Sequence, residues 1–286
     1  MKVDSHQHYW QIDRGDYRWM DDDVAAIRRD FGPRDLAPLR KTAGIDGTVV
    51  VQAADSIEET SFLLDLAART PSIMGVVGWV DLADDSAIHH VHHFAQDPLF
   101  KGVRPMLQDI ASTDWILQPQ VLNNLEQVAR MGLRLDALVT PRHLPVIAEL
   151  ARRLAHLPIV IDHCAKPEFL TPFGTVSAAW HDGIAEISRH PMTMCKLSGL
   201  ATEFGTGWSS RNLATVAGHV LDCFGPSRVM WGSDWPVLNL QGSYQDWYEC
   251  AQQLTAHLDA DQRDDLFGGT AIRFYGLTPP SPAQRT

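Results

Sequence analysis

The chain has 286 residues, 45% of them hydrophobic and 21% charged, a size and balance able to bury a large core, and its formal net charge is −11. That charge argues against the clustered Lys and Arg footprint that nucleic acid or anionic lipid requires, and no apolar run approaches the roughly 18 residues of a membrane span. The four cysteines, Cys164, Cys195, Cys223 and Cys250, include no CxxC pair, so they read as reduced core thiols rather than a disulfide framework or thiolate zinc site.

Met1 and Lys2 lead directly into an apolar strand, which leaves no room for a cleavable signal segment, and the expected location is cytoplasmic. Eight short β-branched runs follow one another along the chain: Val3 to His8, Thr48 to Gln52, Gly75 to Val80, Gly102 to Met106, Leu133 to Val139, Ile159 to His163, Thr193 to Leu197 and Val229 to Asp234. Amphipathic stretches separate them, among them Glu58 to Ala68, Leu122 to Met131, Leu144 to Leu154, Ala178 to Ser188 and Leu213 to Phe224. Strands alternating with helices predict a parallel sheet with crossover helices, and eight repeats predict an α/β fold closed as a (β/α)8 TIM barrel. The barrel is expected to occupy residues 1–278 as one domain, with the Pro-rich residues 279–286 as a disordered tail. A long irregular stretch, Tyr9 to Pro33, follows the first strand and so lies on the face that carries catalysis, where it reads as a lid or binding wall.

The strand ends carry the chemistry. His6 and His8 are two apart on the first strand, so period-two alternation turns both into the barrel mouth, where two imidazoles can share a metal ion or donate to an oxyanion. Asp234 closes the eighth run beside the first, within reach of that pair. His163 ends the sixth run, and by the same alternation it faces inward while Asp162 faces the opposite side. Arg104 and Lys196 are cations inside strands, and each needs a carboxylate partner or a substrate oxygen. Gln52 and Asp136 are placed to complete polar contacts at the mouth. Trp10, Trp19, Trp79 and Trp235 can stack on a sugar ring, although large aromatics more often pack in the core or rim. The histidines of His89, His90, His92 and His93 fall on an outer helix that faces away from the mouth, so metal binding is not expected there.

Taken together, Asp4-Ser5-His6-Gln7-His8-Tyr9-Trp10, Gly102-Val103-Arg104, Asp162-His163-Cys164-Ala165-Lys166-Pro167, Lys196-Leu197-Ser198-Gly199-Leu200, Gly232-Ser233-Asp234-Trp235-Pro236 and the closing Gly269 to Leu277 resemble the amidohydrolase superfamily. The likeness is to its amidohydrolase-2 type, in the branch of sugar-lactone hydrolases such as L-fuconolactonase and L-rhamnonolactonase. It implies a hydrolase in which Asp234 handles the water proton and His6, His8 and His163 act as metal ligands or polarise a carbonyl. The chain departs from two-metal members: Arg104-Pro105-Met106 stands where a bridging Lys or Glu would end the fourth strand, and the fifth strand has no histidine. At most one divalent ion is expected, zinc first among the candidates, and some relatives work without one.

The expected reaction is hydrolysis of an aldonolactone, with Asp234, His163 and Arg104 catalytic, His6, His8 and Asp234 as metal ligands, and Gln52, Arg104, Lys196, Trp10 and Trp235 at the substrate. The alternatives are a metal-dependent decarboxylase of an aromatic acid and a barrel that only binds a sugar or metal. The sequence leaves the oligomeric state open.

Overall fold

A computed structural model describes residues 1–278; the expected tail, residues 279–286, lies outside the described residues. Every one of the eight apolar runs overlaps a strand, with β2, β3 and β4 starting one or two residues before the run: β1 (Val3–Gln7), β2 (Gly47–Val51), β3 (Ile73–Gly78), β4 (Phe100–Val103), β5 (Arg134–Ala137), β6 (Ile159–Ile161), β7 (Thr193–Leu197) and β8 (Val229–Trp231). Each pairs in parallel with the next in chain order. The ring closes at its carboxyl rim, where Asp234 N donates to the His6 carbonyl (2.8 Å) and His8 N to the Trp235 carbonyl (2.7 Å). The described residues thus form the expected (β/α)8 barrel.

The crossover helices are α1 (Pro33–Ala43), α2 (Ile57–Ala68), α3 (Ala87–Phe94), α4 (Pro119–Arg130), α5 (Leu144–Arg153), α6 (Ala178–Ile187), α7 (Leu200–Phe204) and α8 (Ser210–Phe224), followed by α9 (Tyr244–Leu254), α10 (Ala260–Asp264) and α11 (Thr270–Tyr275). Local chemistry sets several of their starts. Pro33 opens α1, where its missing N–H costs nothing, and the hydroxyls of Ser56, Ser177 and Ser243 accept from backbone N–H groups at the starts of α2, α6 and α9.

Strand alternation splits the core in two. Val50, Val76 and Val103 face the helices, whereas Val49, Val51, Val77, Val160 and Met230 face inward and meet Phe274, Tyr275 and Leu277, so that α11 and Leu277 beyond it plug the base. Full burial of each such side chain contributes about 1.5–3 kcal/mol. The base is therefore sealed by apolar packing, and the open end is the carboxyl rim.

The stretch from Tyr9 to Pro33 is laid across that rim. It holds two short 3-10 turns, Ile12–Arg14 and Asp22–Ile27, and is pinned by the Trp10 indole donating to the Arg29 carbonyl (2.8 Å) and the Trp19 indole to the Ala53 carbonyl (2.7 Å). Among the described residues no helix is long and apolar enough to cross a membrane.

Candidate active site

The predicted runs overshoot the hydrogen-bonded strands, and the excess is where the polar residues gather. His8, Gln52, Arg104, His163 and Asp234 all stand just beyond a strand end, where the backbone escapes strict pleating. In β1 the register with β2 shifts between Asp4 and Gln7. Strict alternation would turn Asp4, His6 and His8 to one face. The irregularity instead lets Asp4 reach the outer layer, accepting from Ser233 N (2.9 Å) and the Tyr244 hydroxyl (3.0 Å), while His6 and His8 face the mouth.

The expectation for Asp162 is corrected by the structure. Pleating ends at Ile161, and His163, Cys164, Ala165 and Lys166 all have left-handed φ values of 48–60°, so the period-two rule no longer applies past the strand. Asp162 consequently lies inside the barrel, against His6, Lys196 and Arg104, and His163 reaches the mouth as well. Asp234 (φ 58°) completes the set of non-glycine residues with left-handed φ among those described. Such conformations cost on the order of 1–3 kcal/mol each and persist only where surrounding contacts impose them. Here they aim His163 and Asp234 into the mouth and place Lys166 on the cavity wall.

Four groups converge there. The Nε2 atoms of His8, His6 and His163 lie 3.3, 3.7 and 3.7 Å from one oxygen, Asp234 Oδ1, and His6 Nε2 is 3.2 Å from His8 Nε2. Two glycines allow this packing. A Cβ at Gly232 would stand 2.7 Å from His6 Cβ, and one at Gly199 (φ +68°) 2.6 Å from His163 Nδ1. The Ser198 hydroxyl, 2.9 Å from His163 Nδ1, orients that ring. Burial pushes the His163 imidazole down to about 4 and holds His6, which also faces Lys196, well below its ordinary value. Burial works against ionisation of Asp234, but His163, His8 and His6 around it outweigh this and hold its carboxyl below the usual range. At neutral pH the mouth therefore presents a carboxylate and, at His6 and His163, neutral rings.

These residues fit a single divalent ion. His6, His163 and Asp234 offer donor atoms within 4.8 Å of one another, and the separations of 3.3 and 3.7 Å from Asp234 Oδ1 are close to the edge of a tetrahedron whose metal–ligand bonds are about 2.1 Å. His8 Nδ1 donates to the Val51 carbonyl (2.7 Å), which leaves the Nε2 lone pair turned toward the cluster. His6 Nδ1 lies between a donor, Lys196 Nζ (3.0 Å), and an acceptor, Asp162 Oδ1 (3.4 Å). With its proton on Nδ1, shared with Asp162, Nε2 is free for an ion; with the proton on Nε2, the ring donates into the mouth instead.

A second layer lies directly underneath. Lys196 Nζ reaches Asp136 Oδ2 (2.5 Å) and Asp162 Oδ1 (2.9 Å), the Tyr275 hydroxyl donates to Asp136 Oδ2 (2.7 Å), and Arg104 meets Asp162 Oδ2 (3.4 Å) and donates to the Gln52 carbonyl. Lys196, Asp136 and Asp162 are inaccessible to solvent. Burial raises Asp136, while Lys196, His6 and Arg104 outweigh burial at Asp162 and hold it well below the carboxylate range.

The cavity above these layers measures about 180 Å³ and is lined by His8, Arg104, His163, Lys166 and Asp234 together with Trp19 and Met106. Of the other expected site residues, Gln52 lies beneath Arg104, its amide donating to the Arg104 carbonyl (2.7 Å), and its Oε1 is unpartnered among the described residues. Trp10 and Trp235 are buried and do not line this cavity; they pack on Phe31 and so hold the long loop. His89, His92 and His93 are exposed on α3, and no converging donor group forms around them among the described residues. Sequence reasoning missed Ser198 and Glu59. The buried Glu59 carboxyl group accepts from Ala53 N (2.9 Å) and Ala54 N (2.7 Å), holding the loop after β2 against the cavity. Only its place inside an amphipathic helix face hinted at burial, and nothing in the sequence indicated the loop contact.

A sequence model of the family described as Amidohydrolase matches residues 3–277. The chain is 44% identical to an L-fucono-1,5-lactonase of Burkholderia ambifaria, over 99% of this chain and 98% of the relative. It is 35% identical to an L-fucono-1,5-lactonase of Burkholderia multivorans, over 99% of both. The fold superposes with a TM-score of 0.90 on the crystal structure of an amidohydrolase from Burkholderia multivorans with bound zinc, at 33% identity and covering 97% of this chain and all of that one. With a family match running from the first strand to the closing helix, and a barrel whose rim gathers three imidazoles around a carboxylate, this chain belongs to the amidohydrolase family.

Proposed function

We propose that the chain hydrolyses a sugar lactone, L-fucono-1,5-lactone first among the candidates, to the open hydroxy acid. The observation that carries the reading is the placement of three imidazole nitrogens within 3.7 Å of one Asp234 oxygen, in a chain 44% identical end to end to an L-fucono-1,5-lactonase.

In this reading a water oxygen bonds to the lactone carbonyl carbon while Asp234 accepts the water proton. The oxyanion then collapses, the bond from the acyl carbon to the ring oxygen breaks, and Asp234 returns the proton to that oxygen. Arg104 and His163 donate to the developing oxyanion, where low local dielectric makes each hydrogen bond count for more than in water. Lys196, Asp162 and Asp136 act through His6 and Arg104, whose positions they hold, and Gln52 supports Arg104 from below. A single divalent ion, zinc first, would be held by His6 and Asp234 with His8 or His163, and when bound would polarise the carbonyl and lower the pKa of water toward ~7. Arg104 and Lys166 are the cations lining the cavity, and Lys166 is paired with Glu203 (3.0 Å). This suits a neutral polyhydroxylated ring better than a dicarboxylate, which would need more free cations.

The test is a pH-indicator screen of aldonolactones on protein prepared with and without chelator. Acid release from L-fucono-1,5-lactone or a close stereoisomer is the expected result. Loss of turnover on chelation, restored by zinc, assigns the ion; turnover indifferent to chelation assigns the oxyanion to the imidazoles and Arg104. An inert lactone panel together with carbon dioxide release from aromatic acids would overturn the reading.

A further inference from the structure

Beside the cavity over Asp234 lies a second, larger chamber of about 480 Å³. The two share Trp19, Ala53, Met106 and Asp109 in their linings, so they adjoin along that side. The space over Asp234, at about 180 Å³, suits one six-membered ring of about a dozen heavy atoms, whereas drug-sized ligands occupy cavities of about 300–1,000 Å³. A monosaccharide lactone seated for attack therefore leaves the chamber to water.

The chamber's lining has a definite chemistry. It holds the half-buried indoles of Trp19, Trp79 and Trp115 and the exposed side chains of Asp55, Asp81, Asp109 and Arg18. Trp19 spends its indole N–H on the Ala53 carbonyl and its ring contact on Trp10 (5.7 Å). Among the described residues no acceptor takes the indole N–H of Trp79 or Trp115. Flat aromatic walls stack on the C–H faces of pyranose rings, carboxylates accept pairs of sugar hydroxyls, and the excess of negative charge repels carboxylates and phosphates. The three indoles make no ring contact with one another among the described residues, which suits a sugar ring more than the closed cage that grips a compact cation.

We infer that this chamber is a glycosyl subsite, and that the enzyme accepts aldonolactones carrying a second, neutral sugar unit on the lactone ring. The inference rests on the lactonase reading above and deepens it. The chemistry is unchanged: water adds to the acyl carbon, the acyl-to-ring-oxygen bond breaks, and the glycosidic bond survives into a glycosylated aldonic acid.

The experiment takes the best monosaccharide lactone of the screen, the same lactone glycosylated at each of its free ring hydroxyls in turn, and an analogue whose added sugar is an amino sugar. Wild-type enzyme is expected to hydrolyse at least one neutral glycosylated isomer with kcat/KM no lower than the parent. Trp115→Ala is expected to lower that kcat/KM by about three- to tenfold through KM, with the parent lactone changed by less than about twofold. Ile110→Trp, which fills the chamber from another wall residue, should lower kcat/KM for the glycosylated isomer well below that of the parent and spare the parent. Binding of the glycosylated acid, read by indole fluorescence, should weaken in both variants. Exclusion of every neutral glycosylated isomer, equal losses on parent and extended lactone, or preference for the amino sugar would each overturn the subsite while leaving lactone hydrolysis intact. Failure of the parent lactone itself would remove the underlying reading and the subsite with it.

Discussion

Two clusters of ionisable groups share the upper half of this barrel, and they differ in whether they open onto the cavity. In the lower one, Lys196 is shared between Asp136 and Asp162, Tyr275 donates to Asp136, and all are sealed from water. In the upper one, His8, His163 and Asp234 retain slight exposure and line a cavity, and their Nε2 and carboxylate atoms face one another across separations of 3.3–3.7 Å. The buried ion pairs of the lower layer fix the positions of His6 and Arg104, although Asp136 Oδ1 has no hydrogen-bond partner among the described residues. Function resides where donors and acceptors have been ordered, dehydrated and left with capacity to spare.

Substitutions can break that contrast. The largest expected effect is chemical: Asp234→Asn keeps a side chain that tolerates left-handed φ and removes the proton acceptor, so kcat/KM for the lactone should fall about 10²- to 10⁴-fold with the melting temperature held within a few degrees. An equal loss of stability would move Asp234 into the structural class. Next, Lys196→Met leaves two buried carboxylates without their shared cation and should cost about 3–5 kcal/mol, a fall in melting temperature on the order of 10 °C measured by calorimetry. A variant that melts normally but cannot turn over would place Lys196 among the reacting groups instead. Gly199→Ala tests the seam between the clusters. The new methyl would stand 2.6 Å from His163 Nδ1 at φ +68°, and a loss of about tenfold in kcat with a modest drop in stability is expected. Unaltered kinetics would mean that the position of His163 is not critical.

The smallest effect concerns support for the wall of the mouth. Burial raises the Glu59 carboxyl from 4.5 to about 8. Because the folded-state value lies above the unfolded one, the fold binds this proton more tightly than the open chain does. The stability it contributes is therefore full below about pH 4.5 and is lost as pH rises to about 8. Glu59→Gln should flatten the decline of melting temperature across that window. A wild-type slope retained in the variant would assign the decline to another group; Asp4, raised by burial to about 6, moves in the same direction over a narrower range.

Much of the barrel was readable because its signals are local. The β-branched runs set off by turn residues located all eight strands, and the apolar spacing of Leu144 to Leu154 or Ala178 to Ser188 reproduced α5 and α6 to within one residue. His6, His8, His163 and Asp234 were also legible, since a polar residue at the carboxyl end of a barrel strand has few other uses. The orientation of Asp162 was not legible, because period-two reasoning holds only while the ladder continues and the chain leaves it at Ile161 for a run of left-handed residues. Nor were the roles of Trp10 and Trp235. An aromatic residue at the rim looks the same in sequence whether it faces a ligand or, as here, packs on Phe31 beneath the loop.

By itself, then, the order of residues determined the barrel, its open end and which side chains stand at that end, since periodicity and residue type act over neighbouring positions. Only the tertiary structure decided how those side chains meet. The separations from Asp234, the sharing of Lys196 and the depth of the chamber beside Trp115 depend on register shifts, backbone handedness and burial, which arise when segments far apart in the chain are packed together.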